Sequence, residues 1–331
     1  MTGSSPMARR VPAVRAAMAA RGLSLKTALA ALVSATAVLV SVPAATASVP
    51  ASPRIVAHFD LAAGQTPENV VVLPDGSTDV TFAMANQVAH VTQGGKVTIL
   101  ARLPSNGKCG IFPGPATLGM ARAHDGTLYV AECSGTSTTG IWRLRPGAVP
   151  VQIAGLPPGG FPNGMAIDDR TGDLYVADSA LGTVWKVSAQ GGAPAAWATG
   201  PSLDEVSFAG ANGLVVHGSA VWVGNLDKGV IVRIPIRGDG TAGPAEPVAS
   251  GLNGGLDDFS VIGRDTIVAT LNMLNEVVQV QPGHRPRVLL TAADGLSTPT
   301  SVRLRNDTMY ITSAAYFTGT DPNLLVIHLR R

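Results

Sequence analysis

One unit of sequence recurs six times along this chain at intervals of about 45 residues, and nothing else in it constrains the fold so tightly. The copies are PENVVVLPDGSTDVTFA from Pro67, TLGMARAHDGTLYVAE from Thr117, PNGMAIDDRTGDLYVAD from Pro162, ANGLVVHGSAVWVGN from Ala211, LDDFSVIGRDTIVAT from Leu256 and PTSVRLRNDTMYITS from Pro299. Each reads as a short strand, a polar or glycine turn and a second β-rich strand. A third strand follows, such as TVWKVSA or GVIVRIPI, and then a fourth, such as PVQIAGL or RVLLTAA. Four short antiparallel strands per repeat at this period predict an all-β, six-bladed β-propeller. The sixth unit stops after its third strand, LLVIHLRR, while PRIVAHFDL at residues 53 to 61 resembles the fourth strand it lacks. The N-terminal strand is therefore expected to complete the last blade and close the ring, which leaves no long unpaired sheet edge.

One register position in the repeat carries the chemistry. Asn163 precedes Met165 and Ile167, Asn212 precedes Leu214 and Val216, Asp257 precedes Phe259 and Val261, and Glu68 precedes Val70 and Val72. Residues two apart lie on one strand face, so these four side chains share a position, filled by Thr300 in unit six and Leu118 in unit two. The first strand of a blade lines the central channel, so the four oxygen-bearing groups are expected to converge near the axis at one end. Any one Asn-Gly pair reads most simply as a turn; four polar residues at a common register do not. Two carboxylates in a poorly hydrated channel repel unless a cation sits between them. Oxygen donors without a neighbouring histidine or cysteine favour Ca2+ over zinc, and calcium's about 6 to 8 ligands leave places for water or substrate. Asp257 is the candidate catalytic base or nucleophile, and Asp258 beside it the weaker one.

With these motifs the chain, over about residues 52 to 331, resembles the six-bladed propellers of gluconolactonase, regucalcin, paraoxonase and diisopropyl fluorophosphatase. PEN at Glu68, PNG at Asn163, ANG at Asn212 and LDD at Asp257 match that family's metal-ligand positions. The resemblance implies a calcium-dependent hydrolase of lactones, esters or phosphotriesters. Two departures stand out. The histidine pair proposed as proton shuttle in paraoxonases has no counterpart, since His90, His124, His217 and His284 fall in outer strands or far turns and His58 and His328 in the closing blade. The arginine and asparagine with which gluconolactonase relatives hold a sugar acid in blade two are also unmatched.

Strand direction places the loops between second and third strands, and the connections between blades, at the same end as the four polar residues. They offer Phe112, Phe208, Met273, Leu274, Tyr316 and Phe317, with Thr300 at the channel, and few basic residues. An apolar rim of this kind suits a small lactone or ester with a hydrophobic part, bound by a monomer. The alternative is a non-catalytic propeller that binds a ligand or protein on the same face around a structural calcium.

Residues 1 to 47 are a different kind of sequence. They carry Arg9, Arg10, Arg15, Arg21 and Lys26, no acidic residue, and the mainly apolar run TALAALVSATAVLVSVPAATA. A basic start, an apolar run and small residues ahead of Ser48 predict a secretory signal cleaved near Ala47. A membrane anchor is the competing reading, but the uninterrupted apolar part is shorter than the ~20 residues of a span and Pro43 follows it. Lys and Arg total 24 and Asp and Glu 22; the segment holds five of the basic residues, so the remainder carries 19 against 22, a net −3. No nucleic-acid partner is implied, and after cleavage no membrane association. The two cysteines, Cys109 and Cys133, are too few for a cysteine zinc site. An exported chain favours a disulfide between them, contributing roughly 3 to 3.5 kcal/mol on the chain-entropy model, over two separate buried thiols.

Overall fold

The computed structural model describes residues 52 to 329; the expected export segment lies outside them. The described residues form 24 strands in six antiparallel four-stranded sheets. Strand β1 is Arg54–His58. Blade 1 follows as β2–β5 (Pro67–Val72, Thr78–Phe82, Gln87–Val91, Val97–Arg102). Blade 2 is β6–β9 (Ala116–Arg122, Leu128–Cys133, Gly140–Leu144, Val151–Gly155), and blade 3 is β10–β13 (Pro162–Asp168, Asp173–Asp178, Thr183–Ser188, Ala195–Thr199). Blade 4 is β14–β17 (Ala211–His217, Ala220–Asn225, Val230–Pro235, Glu246–Ala249), and blade 5 is β18–β21 (Leu256–Ile262, Thr266–Leu271, Glu276–Val280, Arg287–Leu290). Blade 6 takes β22–β24 (Pro299–Arg305, Thr308–Ser313, Asn323–His328) from the C-terminal end and β1 from the other. There β1 runs antiparallel to β24, pairing Arg54 with Val326 and His58 with Asn323, as the repeat count requires.

The inner strands β2, β6, β10, β14, β18 and β22 pack side by side around a closed ring. Six apolar clusters fill the six seams between blades. One joins Trp222, Ile231 and Leu252 of blade 4 to Phe259, Ile267 and Val278 of blade 5; another joins Val88 of blade 1 to Met120, Val130 and Trp142 of blade 2. The alternating apolar residues of each strand thus serve both neighbours, each buried large side chain contributing about 1.5–3 kcal/mol. No blade can bury both of its faces alone.

Every inner strand is irregular near its first residue. The register with the second strand shifts between Pro67 and Val70, Thr117 and Met120, Pro162 and Met165, Ala211 and Leu214, Leu256 and Phe259, and Pro299 and Ser301. These are β-bulges, which re-aim side chains. The four polar residues singled out by the repeat are the first bulge residue of their blades. Asn163-Gly164 is therefore part of a bulged strand rather than a turn.

Cys109, in the connection to blade 2, is bonded to Cys133 at the end of β7, with Cα atoms 5.1 Å apart and both residues buried. The bridge ties the long connection to its own blade beside Phe112 and Leu118. Among the described residues no helix is long and apolar enough to cross a membrane.

Candidate functional site

The bulges turn Glu68, Asn163, Asn212 and Asp257 onto the floor of one cavity of about 170 Å³ at an end of the channel. All four are buried, Asn163 the most accessible at 9%. Tyr316 Oη donates to Glu68 Oε2 at 2.7 Å. Asp257 accepts from Asn212 Nδ2 at Oδ1 (2.8 Å) and from Asn272 Nδ2 at Oδ2 (2.9 Å). Ser179 Oγ donates to the Asn212 side-chain oxygen at 3.1 Å, which leaves that oxygen a second lone pair. No cationic side chain among the described residues pairs with Glu68 or Asp257.

The electrostatics follow. Burial pushes Glu68 up to about 7, opposed by the Tyr316 hydrogen bond and reinforced by Asp258. Burial, and then the Glu68 charge, hold Asp257 well above the usual carboxylate range. Burial likewise raises Tyr316 well above an ordinary phenol, with Glu68 adding to the effect. Among the described residues no three His, Cys, Asp or Glu side chains cluster as a metal site; two carboxylates and two amides compose this one. The donor chemistry nonetheless fits a divalent cation. Two buried carboxyl groups face the cavity without a side-chain cation among the described residues, and Asn272, which also lines it, has a buried side-chain oxygen without a hydrogen-bond partner.

Asp258 works one level down. Its Oδ2 accepts from Ser301 Oγ (2.6 Å), Arg303 Nη1 (2.7 Å) and Asn69 Nδ2 (3.2 Å), groups from blades 6 and 1. Its charge is balanced by Arg303, so the weaker sequence candidate is committed to the channel interior. Val70, Met120, Met165, Leu214, Phe259 and Val302, none more than 2% exposed, form the layer after the bulges.

The wall above the floor is apolar. Phe112 meets Phe161 and Tyr316 edge to face, at 6.2 and 5.7 Å between ring centres. Phe208 and Phe317 also line the cavity, as the loop positions predicted. Three other predicted rim residues are placed elsewhere. Met273 and Leu274, about half exposed, pack beside Gly255 and Gly254 outside the cavity, because the short 3-10 turn Asn272–Leu274 directs Asn272 inward instead. Thr300 spends its hydroxyl on Pro67 O (2.8 Å) and Thr312, closing the ring between blades 6 and 1. Asn272, Met84, Ile111, Phe161 and Leu226 line the cavity and were not singled out from sequence. Asn272 follows the last residue of its second strand, a place where blade 3 has Ser179, so a polar residue just past β11 and β19 was the available signal.

No family model matches the chain, and no curated protein matches it. Solved structures do. An aldose sugar dehydrogenase from Streptomyces coelicolor, in its PQQ-bound form, is 14% identical over 85% of this chain and 98% of that one, with a TM-score of 0.63. Regucalcin from Agrobacterium tumefaciens, a calcium-binding protein, is 14% identical over 85% and 96%, with a TM-score of 0.62. A putative gluconolactonase is 16% identical over 85% and 94%, also with a TM-score of 0.62. The shared fold is the six-bladed propeller. At such identities the likeness is one of architecture, and the site has to speak for the chemistry.

Proposed function

We propose that this chain is a secreted, calcium-dependent hydrolase acting on a partly hydrophobic lactone or ester. One observation carries the reading: two buried carboxylates, Glu68 and Asp257, converge with the amides of Asn163 and Asn212 beneath an aromatic-walled cavity, with no side-chain cation among the described residues to balance them. Those four residues would hold the ion, as oxygen donors suit calcium. A bound calcium supplies a Lewis acid for the substrate carbonyl. The aromatic wall receives the hydrophobic arm and shields the floor from bulk solvent. Asp257 takes a proton from water as the water oxygen adds to the carbonyl carbon, and returns it to the alkoxide when the ester C–O bond breaks. Asn212 and Asn272 orient that carboxylate. The gluconolactonase and regucalcin likeness agrees with this reading, and the Cys109–Cys133 bridge agrees with an oxidising, extracellular destination.

A second reading has its own support. Both Asp257 oxygens already accept hydrogen bonds from protein, and no histidine lines the cavity. A binding propeller with a structural calcium would have the same features. A screen of aliphatic lactones and aryl esters, with calcium and with chelator, separates the two. Turnover lost on chelation and regained with calcium supports the hydrolase; calcium binding with no turnover supports the binding module.

A further inference from the structure

The connection from blade 3 to blade 4, residues 200 to 210, contains no strand or helix, and its Val206 is 70% exposed. It nevertheless supplies Phe208 and Ala209 to the cavity wall. Its shape is imposed by the turn after β15. Asp227 Oδ2 accepts from four successive backbone N–H groups, Val206 (2.8 Å), Ser207 (2.7 Å), Phe208 (2.9 Å) and Ala209 (3.2 Å), while Oδ1 accepts from Ser207 Oγ at 3.2 Å. The Asp227 N–H donates in return to Ala209 O at 3.1 Å. Two residues earlier, Asn225 Nδ2 donates to the carbonyls of Ser202 (3.1 Å) and Asp204 (3.0 Å). Consecutive N–H groups converge on a single anion only when the chain is curled into a concave nest. The carboxylate and the curl therefore require each other. At the corresponding place after the second strand, the other blades have Met84, Ser134, Ala180, Met273 and Ala315. Blade 4 alone has a carboxylate there. Burial works against its charge, and the four N–H bonds outweigh it, holding Asp227 below the usual carboxylate range.

We propose that Asp227 is a positioning residue that fixes Phe208 in the cavity wall and so sets which hydrophobic arm the site accepts. The proposal rests on the cavity being a ligand site, whether or not it hydrolyses what it binds. Asp227→Ala, Phe208→Ala and the double variant are compared with the full wild-type chain in three measurements: hydrogen exchange of amides 206 to 209, binding of the neutral fluorophore N-phenyl-1-naphthylamine, and kinetics on 2-naphthyl acetate against methyl acetate. Asp227→Ala should speed exchange at all four amides, weaken the fluorophore about 10-fold and raise KM for the naphthyl ester about 10-fold, leaving kcat and the methyl ester within about twofold. Phe208→Ala should weaken binding alike, and the double variant should bind no worse than Phe208→Ala, because residues acting through one contact are not additive. Unchanged fluorophore affinity in Asp227→Ala, or effects that add in full, overturns the proposal. So does a wild type that binds no fluorophore. If the fluorophore results hold while neither ester is cleaved, the positioning role stands and the hydrolase reading falls.

Discussion

Blades 2, 3 and 4 meet around the channel through glycine, whereas blades 5, 6 and 1 meet through side chains. The second bulge residue is Gly119, Gly164 and Gly213 in the first group and Asp258, Ser301 and Asn69 in the second. Opposite the bulge the second strand has Ala131, Ala177 and Gly224 in the first group and Thr270, Thr312 and Thr81 in the second. A Cβ on Gly119, Gly164 or Gly213 would lie 2.0, 2.4 or 2.5 Å from the carbonyl oxygen of Asn163, Asn212 or Asp257 respectively. Each glycine thus lets the next blade's oxygen-donor residue come close. In the other half the threonines satisfy the bulge: Thr81, Thr270 and Thr312 hydroxyls accept from the N–H of Asn69, Asp258 and Ser301 at 3.0, 3.1 and 3.2 Å. Thr81 and Thr270 then donate to Leu118 O (2.7 Å) and Thr300 O (3.2 Å) of the next blade. The same bulge is packed tightly where it spaces three candidate ligands, and wired with polar groups where Asp258 is buried.

The largest effect should come from the tight half. Gly119→Ala drives a methyl into backbone that cannot retreat without moving blade 3, and should cost more than about 4 kcal/mol, whereas Ser301→Ala in the wired half should cost about 1–2 kcal/mol. Urea denaturation of both variants measures the contrast, and equal losses would erase it. Next, Arg303→Met leaves Asp258 buried without its cation and should cost about 3–5 kcal/mol, much of it recovered in Arg303→Met/Asp258→Asn. Failure of the double variant to recover would mean that packing, not charge, wires this half.

A smaller step tests the floor that the tight half spaces. Asp257→Asn should lower hydrolysis about 100-fold while some calcium still binds. Asn163→Ala should chiefly weaken calcium, so that added calcium restores part of the rate; initial rates against calcium concentration distinguish them, and equal, fully restorable losses would make Asp257 a ligand only. The smallest effect concerns Glu132 on β7, buried with neither oxygen hydrogen-bonded. Burial pushes it up to about 8. A carboxyl raised on folding contributes stability that is present at low pH and lost as pH rises through its folded value. Glu132→Gln should flatten that decline between about pH 4.5 and 8 and be the more stable chain at pH 9 by about 2 kcal/mol, read from denaturation at each pH. A parallel decline in both chains would place the pH dependence elsewhere.

The repeat made much of this legible beforehand. Period and strand content sufficed for six blades, and the missing fourth strand of unit six pointed to Arg54–His58. The common register of Glu68, Asn163, Asn212 and Asp257 was visible because each stands two residues before an inward apolar residue. What that pattern hid was the bulge. The extra residue of each bulge is defined by its pairing with the second strand, which one strand's sequence does not state, so the close approach of Gly164 and Gly213 to the next blade was not visible. Met273 was misjudged and Asn272 passed over for a related reason: which residue of a tight turn faces inward depends on the turn's geometry, not on its hydrophobicity. Asp227 was invisible, since its five acceptor bonds reach back to residues 206 to 209 across two strands, β14 and β15.

By itself, then, the sequence determined the class of fold, the count and closure of the blades, the pairing of two cysteines and the identity of four polar residues at one register. All of these follow from local periodicity, or from a residue type too scarce to have another partner. Only the tertiary structure decided that Asp257 faces the cavity while Asp258 turns to Arg303, that Thr300 closes the ring, and that Phe208 is held by a carboxylate from the next blade. Those outcomes depend on distances between blades, set by side-chain volume and by hydrogen bonds between segments far apart in the chain, and a linear pattern carries no measure of either.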